Sequence, residues 1–176
     1  LYYLYYYNGG GVATGDINND GLPDIYFSAN SKGNNKLYLN KGDFTFEDIT
    51  AKAGVAGTAD WCTGVTMADV NGDGWLDIYV CATIKKDSAQ RANMLFVHQG
   101  LDKDGLPSFK DLAPGYGVAD MGYSQNAAFL DYDKDGDLDL YVLQNLESDK
   151  IPSVYRPRIT DGTALNNDRL FRNNAD

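Results

Sequence analysis

A nine-residue acidic pattern occurs three times in this chain, and few folds accommodate that arrangement. Asp16-Ile-Asn18-Asn-Asp20-Gly21-Leu-Pro-Asp24 recurs as Asp69-Val-Asn71-Gly-Asp73-Gly74-Trp-Leu-Asp77 and as Asp131-Tyr-Asp133-Lys-Asp135-Gly136-Asp-Leu-Asp139, with first residues 53 and 62 positions apart. The flanks recur as well. A small and apolar run precedes each copy (11–15, 64–68, 126–130), and Asp-Ile/Leu-Tyr-Phe/Val closes it (24–27, 77–80, 139–142). A third shared segment follows at 35–39, 93–97 and 168–172, and a fourth at 46–49 and 109–112 in the first two units. Self-similarity at a period of tens of residues marks a repeat architecture, in which each unit buries its faces against its neighbours.

The shared segments are short, rich in β-branched and aromatic residues, and bounded by Gly, Asn and Asp, so they read as strands. No window of about 11 residues shows a helical period. The unit is four strands with the acidic loop between the first and second. Such a unit predicts an all-β fold of β-propeller blades, each a four-stranded antiparallel sheet. About three blades are expected: residues 1–57 as an N-terminal strand plus blade one, 58–119 as blade two, and 120–176 as a partial blade three with an insertion loop at 147–162. A sandwich or a β-solenoid fits the strand lengths but not the recurrence of the whole unit. Closed propellers use roughly four to eight blades, and the chain opens on Leu1, so a fragment of a larger propeller is expected.

The loops have the chemistry of calcium sites. Ca²⁺ takes about six to eight oxygen ligands at roughly 2.3–2.6 Å in flexible geometry. Positions one, three and five supply side-chain oxygens: Asp16, Asn18 and Asp20; Asp69, Asn71 and Asp73; Asp131, Asp133 and Asp135. Position six is glycine each time, where a side chain is expected to obstruct the turn. Position seven (Leu22, Trp75, Asp137) offers its backbone carbonyl, which leaves its side chain free to vary, and position nine (Asp24, Asp77, Asp139) supplies a closing carboxylate. An EF-hand needs a bidentate Glu at its twelfth position, but Phe27, Val80 and Val142 stand there. Packing several carboxylates into one turn is unfavourable unless a cation offsets the repulsion. The ligand carboxylates number three, three and four, which matches the formal charge of −10. Three Ca²⁺ sites are therefore expected, and Mg²⁺ fits less well because it prefers a rigid octahedron.

The loop followed by Ile/Leu-Tyr-Phe/Val resembles the FG-GAP or VCBS-type repeat of integrin-α-like β-propellers. The run Tyr7-Asn-Gly-Gly-Gly-Val-Ala-Thr-Gly-Asp16, with Asn35-Lys-Leu-Tyr-Leu-Asn-Lys-Gly42 and Phe46-Glu-Asp-Ile-Thr50, is similar to a bacterial branch of that family related to cartilage acidic protein. The resemblance covers nearly the whole chain apart from the 147–162 insertion. It implies a seven-bladed propeller, within the roughly four to eight blades such rings use, with calcium in the first hairpin of some blades. It also implies an extracellular or outer-membrane-surface setting and a role in adhesion or in protein or glycan binding. The alternatives are an accessory propeller of a larger polysaccharide-degrading enzyme and a structural subunit of a surface assembly.

Other residues add little chemistry. An acidic chain without a basic patch does not suit nucleic acid, and no stretch of roughly 18 apolar residues suggests a membrane span. No Ser-His-Asp set, phosphate loop or Cys/His cluster is present, so no enzyme activity is expected. His98, the only histidine, reads as structural. Cys62 and Cys81 fit either a disulfide or two buried thiols. Leu1–Tyr7 reads as a strand packed on the first blade, with a sugar-binding aromatic platform as the alternative. The 147–162 loop is the candidate partner-contact segment.

Overall fold

The structure, a computed structural model, describes residues 9–30, 35–84, 87–145, 161 and 167–174. The run Leu1–Tyr7 and, apart from Asp161, the 147–162 insertion lie outside these residues. The described residues form three antiparallel sheets in sequence order. The first contains β1 (Val12–Gly15), β2 (Asp24–Phe27), β3 (Lys36–Asn40) and β4 (Phe46–Asp48). The second contains β5 (Cys62–Ala68), β6 (Asp77–Ala82), β7 (Met94–Leu101) and β8 (Pro107–Asp111). The third contains β9 (Ser124–Leu130), β10 (Asp139–Gln144) and β11 (Arg169–Phe171). In each sheet the strands pair in chain order, as a meander does. The sheets match propeller blades, and among the described residues they do not close into a ring. One α-helical turn, Thr50–Ala53, and one 3-10 turn, Ser88–Arg91, interrupt the pattern. Neither is long enough to impress a helical period on the sequence.

The sheets stack face to face, and the alternation of side chains along β6 shows why. Every residue from Asp77 to Ala82 is buried. Ile78 and Val80 point into a core shared with Tyr26, Leu37 and Leu39 of the first sheet. Tyr79 and Cys81 point the other way, into a core shared with Leu140 and Val142 of the third. At β6 the middle sheet therefore has no solvent face, as expected of a repeat that buries itself on its neighbours. The same alternation separates the cysteines. Cys62 lies in the first core and Cys81 in the second, and both are free thiols. Burial pushes the Cys62 thiol up to about 11 and Cys81 higher still.

The first strands β1, β5 and β9 lie side by side and approach closely at glycines. Gly11 N–H donates to Thr63 O at 2.9 Å, and Thr63 Oγ1 donates to Ser124 O at 2.9 Å. A Cβ on Gly11 would lie 2.6 Å from Thr63 O, and one on Gly64 would lie 2.7 Å from both Asn126 Cα and Gln125 O. The side chains that open the third shared segment pin its start to the preceding strand. Asn35, Asn93 and Asp168 accept from the backbone N–H of Ala29, Ala82 and Gln144, each at 2.8 Å.

Candidate metal centres

The three acidic loops join β1 to β2, β5 to β6 and β9 to β10, and they share one hydrogen-bond plan. At position one, Asp16 accepts from Asp20 N–H (3.0 Å) and Gly21 N–H (2.7 Å). Asp69 accepts from Asp73 (3.1 Å) and Gly74 (2.8 Å), and Asp131 accepts from Asp135 and Gly136, both at 3.2 Å. At position five, Asp20, Asp73 and Asp135 accept from the N–H of Leu22, Trp75 and Asp137 at 2.8, 2.9 and 3.2 Å. Asn18 and Asn71 accept from the N–H of Asp20 and Asp73 at 3.3 and 3.1 Å. An ionised carboxylate is an acceptor with about four lone-pair sites. Two N–H bonds therefore orient each position-one carboxylate and leave roughly half its capacity for a cation.

The glycine at position six is needed for its backbone, not for space. Gly21, Gly74 and Gly136 have φ of 87°, 87° and 100°, and a Cβ there would meet nothing within 4 Å. The expected obstruction is thus replaced by a conformational demand, since left-handed φ disfavours side chains. Position four is left-handed too: Asn19, Gly72 and Lys134 have φ of 57°, 72° and 64°. The alternation at positions four and six curls the chain round the side chains of positions one, three and five.

Position nine is buried and clamped. Asp24, Asp77 and Asp139 are each 0% exposed. One oxygen accepts from the position-two N–H (Ile17, Val70, Tyr132), each at 3.0 Å. The other accepts from a residue in or just beyond the third strand: Asn40 at 2.7 Å, His98 at 2.8 Å and Asn173 at 2.9 Å. Burial pushes Asp77 up to about 6 despite these two N–H bonds, and the neighbouring Asp73 and Asp69 add to the rise. Burial raises Asp24 in the same way. A desolvated carboxylate in this state is stabilised in its charged form by a nearby cation.

The third loop is where the side chains converge most clearly. Ligand atoms of Asp131, Asp133 and Asp139 all lie within 4.8 Å of one another, close enough to share one cation. Asp133 Oδ1 is buried without a hydrogen-bond partner. An orphaned acceptor among carboxylates is the group a hard cation would satisfy, so the residues present fit Ca²⁺. Asp135 stands apart from this trio. Arg172 Nη2 lies 2.8 Å from Asp133 Oδ2 and 3.4 Å from Asp135 Oδ2. The Asp137 N–H and then Arg172 hold Asp135 below the usual carboxylate range. In the first two loops, Asn18 and Asn71 donate to Asp20 and Asp73 at 3.0 and 2.9 Å, so the amide partly fills the place of the extra charge.

Residues 16–80, spanning the first loop to the strand beyond the second, match the FG-GAP-like repeat. The chain carries an FG-GAP-like repeat. Relatives agree. Cartilage acidic protein 1 of Xenopus tropicalis is 45% identical over 73 residues, covering 42% of this chain and 11% of that protein. The Homo sapiens protein of the same name is 44% identical over 73 residues, with the same coverage. Integrin alpha-4 of Xenopus laevis is 26% identical over 166 residues, covering 87% of this chain and 16% of the relative. The chain thus spans a small share of the curated relatives it matches. The FG-GAP-like match covers the two loops whose third position is Asn, and the convergent carboxylate trio lies in the loop beyond it.

The groups that hold the site in place are marked unevenly in the sequence. Asn40, His98 and Asn173, in or just beyond the third strand, act through backbone N–H groups, which any residue but proline supplies. Arg172 did leave a signal: it is the charged member of a set whose other members are Leu39 and Val97, both buried. His98 is 3% exposed and packed at the second loop, in keeping with a structural role.

Proposed function

We propose that this chain is a calcium-binding, non-enzymatic repeat module of a secreted or cell-surface protein, serving adhesion or the binding of a protein or glycan. Three Ca²⁺ ions would sit in the loops at 16–24, 69–77 and 131–139, held by side chains of positions one, three, five and nine and the carbonyl of position seven. The repeat units would run over 1–57, 58–119 and 120–176. The supporting observation is the same pre-oriented loop built three times, with the unpartnered Asp133 Oδ1 lying among converging carboxylates in the third. The surface setting rests on likeness to proteins named integrin alpha-4 and cartilage acidic protein 1. Among the described residues no helix is long and apolar enough to cross a membrane.

Calcium would join each loop's surface ligands to the buried carboxylate that holds two backbone segments, so the ion stiffens the first hairpin of each sheet. The test is thermal unfolding with excess chelator and then with calcium or magnesium restored. Calcium at about 10–100 times its dissociation constant stabilises by about 1.4–2.7 kcal/mol per site. A midpoint that is unchanged by chelator, or equally restored by magnesium, refutes the calcium assignment.

A further inference from the structure

The side chain of His98 joins the first and second loops. Asn40, His98 and Asn173 hold equivalent places, each donating its backbone N–H to the position-nine carboxylate of its own loop. The two asparagine side chains turn back on that loop: Asn40 Nδ2 donates to Pro23 O at 3.0 Å and Asn173 Nδ2 to Leu138 O at 3.4 Å. His98 reaches the neighbouring loop instead, with Nε2 at 3.1 Å from Ile17 O. Its Nδ1 accepts from Gly100 N–H at 2.8 Å, which leaves the proton on Nε2 and makes Ile17 O the acceptor. The ring is held on both sides. It stacks on Trp75 at 4.7 Å and 8°, and meets Phe109 edge to face at 4.8 Å and 75°.

The connection therefore runs between the two closing carboxylates. Asp77 Oδ1 holds the His98 backbone, the imidazole holds the Ile17 carbonyl, and Ile17 N–H holds Asp24 Oδ2. Trp75, under the ring, is also position seven of the second loop. A second link runs parallel, from Asn19 Nδ2 to Gly74 O at 3.3 Å.

We propose that His98 couples cation binding at the first and second loops, so that filling either one raises the affinity of the other. The proposal rests on the calcium assignment above. A cation in either loop fixes its position-nine carboxylate, and through His98 that also fixes a peptide unit of the other loop. The second ion then meets a segment already ordered and loses less conformational entropy on binding, which is positive cooperativity. Coupling between two binding sites is reciprocal, so either loop can serve as the reporter.

The test is a cycle read by calorimetric calcium titration of the whole chain. The affinity of the first loop is measured with the second intact or disabled by Asp69→Ala with Asp73→Ala, each with and without His98→Asn. Asparagine is the residue of the other two sheets and can turn to its own loop. With His98 present, disabling the second loop should weaken the first by about fivefold or more, the lower end of typical allosteric coupling. With His98→Asn the response of the first loop should fall to the small part that the Asn19–Gly74 link alone can carry. His98→Gln, which still offers an amide N–H toward Ile17, should retain part of the effect, and the third loop's affinity should be unchanged throughout. Calcium binding at the first loop that ignores the second when His98 is present overturns the coupling alone. Equal weakening of all three loops by His98→Asn assigns His98 a purely structural role and also overturns it. No calcium heat in the parent chain overturns both the coupling and the calcium assignment.

Discussion

Replacing Asp77 with asparagine separates the two jobs of a position-nine residue. The carboxylate accepts from Val70 N–H at 3.0 Å and His98 N–H at 2.8 Å, and it is fully buried. The amide of Asp77→Asn can accept one of these bonds, while its NH₂ faces the other donor, a loss of about 1–3 kcal/mol. The substitution also removes a buried charge. Asp77 is pushed up to about 6 from 3.8, and about two pKa units correspond to roughly 3 kcal/mol carried by the ionised form at neutral pH. In chelator the two effects oppose, so at neutral pH Asp77→Asn should leave stability unchanged or raise it by up to about 2 kcal/mol. In calcium it should also forfeit the site, about 1.4–2.7 kcal/mol at 10–100 times the dissociation constant. For a chain of this size each kcal/mol moves the midpoint by about 2–4 °C, so the calcium-induced rise should shrink by about 3–10 °C. Differential scanning calorimetry with and without calcium reads this directly. An identical midpoint change in both buffers would show that Asp77 only staples backbone, and the cation would lose its best-anchored ligand.

Other perturbations test neighbouring parts of the same structure. Arg172→Ala frees Asp133 and Asp135, and since a partly exposed ion pair contributes about 0.2–1 kcal/mol, calcium affinity at the third loop should rise about 1.4- to fivefold; terbium luminescence would read it, and a weaker site would refute competition. Gly64→Ala places a Cβ 2.7 Å from backbone of the next sheet, so the sheets must part at about 1–3 kcal/mol, seen as a lower midpoint in chelator and calcium alike. The pH dependence of the calcium-free chain follows from Asp77. Its folded value lies above its ordinary one, so its contribution to stability is full below 3.8 and is lost as pH rises through about 6; denaturant melts in chelator should show that component, and Asp77→Asn should remove it.

Much of this fold was legible because the chain repeats itself. Eleven strands fall on the shared segments, and their edges shift by only a few residues, as with β5 starting at Cys62 rather than Gly64. The cysteines stayed open because their placement depends on a register shift between Cys62 and Val65, which pairs Cys62 with Ala82 rather than Thr83 and so turns it to the face opposite Cys81. A bulge of that kind needs no marker residue. The acidic side chains were legible because the same residue types recur at the same spacing in all three loops. What held them in place was not, since N–H donors from position two and the third strand belong to the backbone. Position four is an intermediate case: Asn19 and Gly72 suit a left-handed turn, and Lys134 does not announce one.

The site and the fold are not separable at position nine, and this orders the expected effects of substitution within a loop. Asp16 and Asp20 are ligand candidates at the surface whose hydrogen bonds stay inside the loop. Asp24 reaches from the loop to Asn40 in the first sheet. Alanine at 16 should therefore weaken calcium with a modest effect on the calcium-free chain. Alanine at 24 leaves two backbone N–H groups without their acceptor, at about 1–3 kcal/mol each where they are buried, whether calcium is present or not. The same ordering should hold at 69 against 77 and at 131 against 139, because the hydrogen-bond plan is common to all three loops. If the position-one and position-nine alanines proved equally destabilising in chelator, the buried carboxylate would not be the joint between ion and sheet. Chelator-only melts of the six variants decide this.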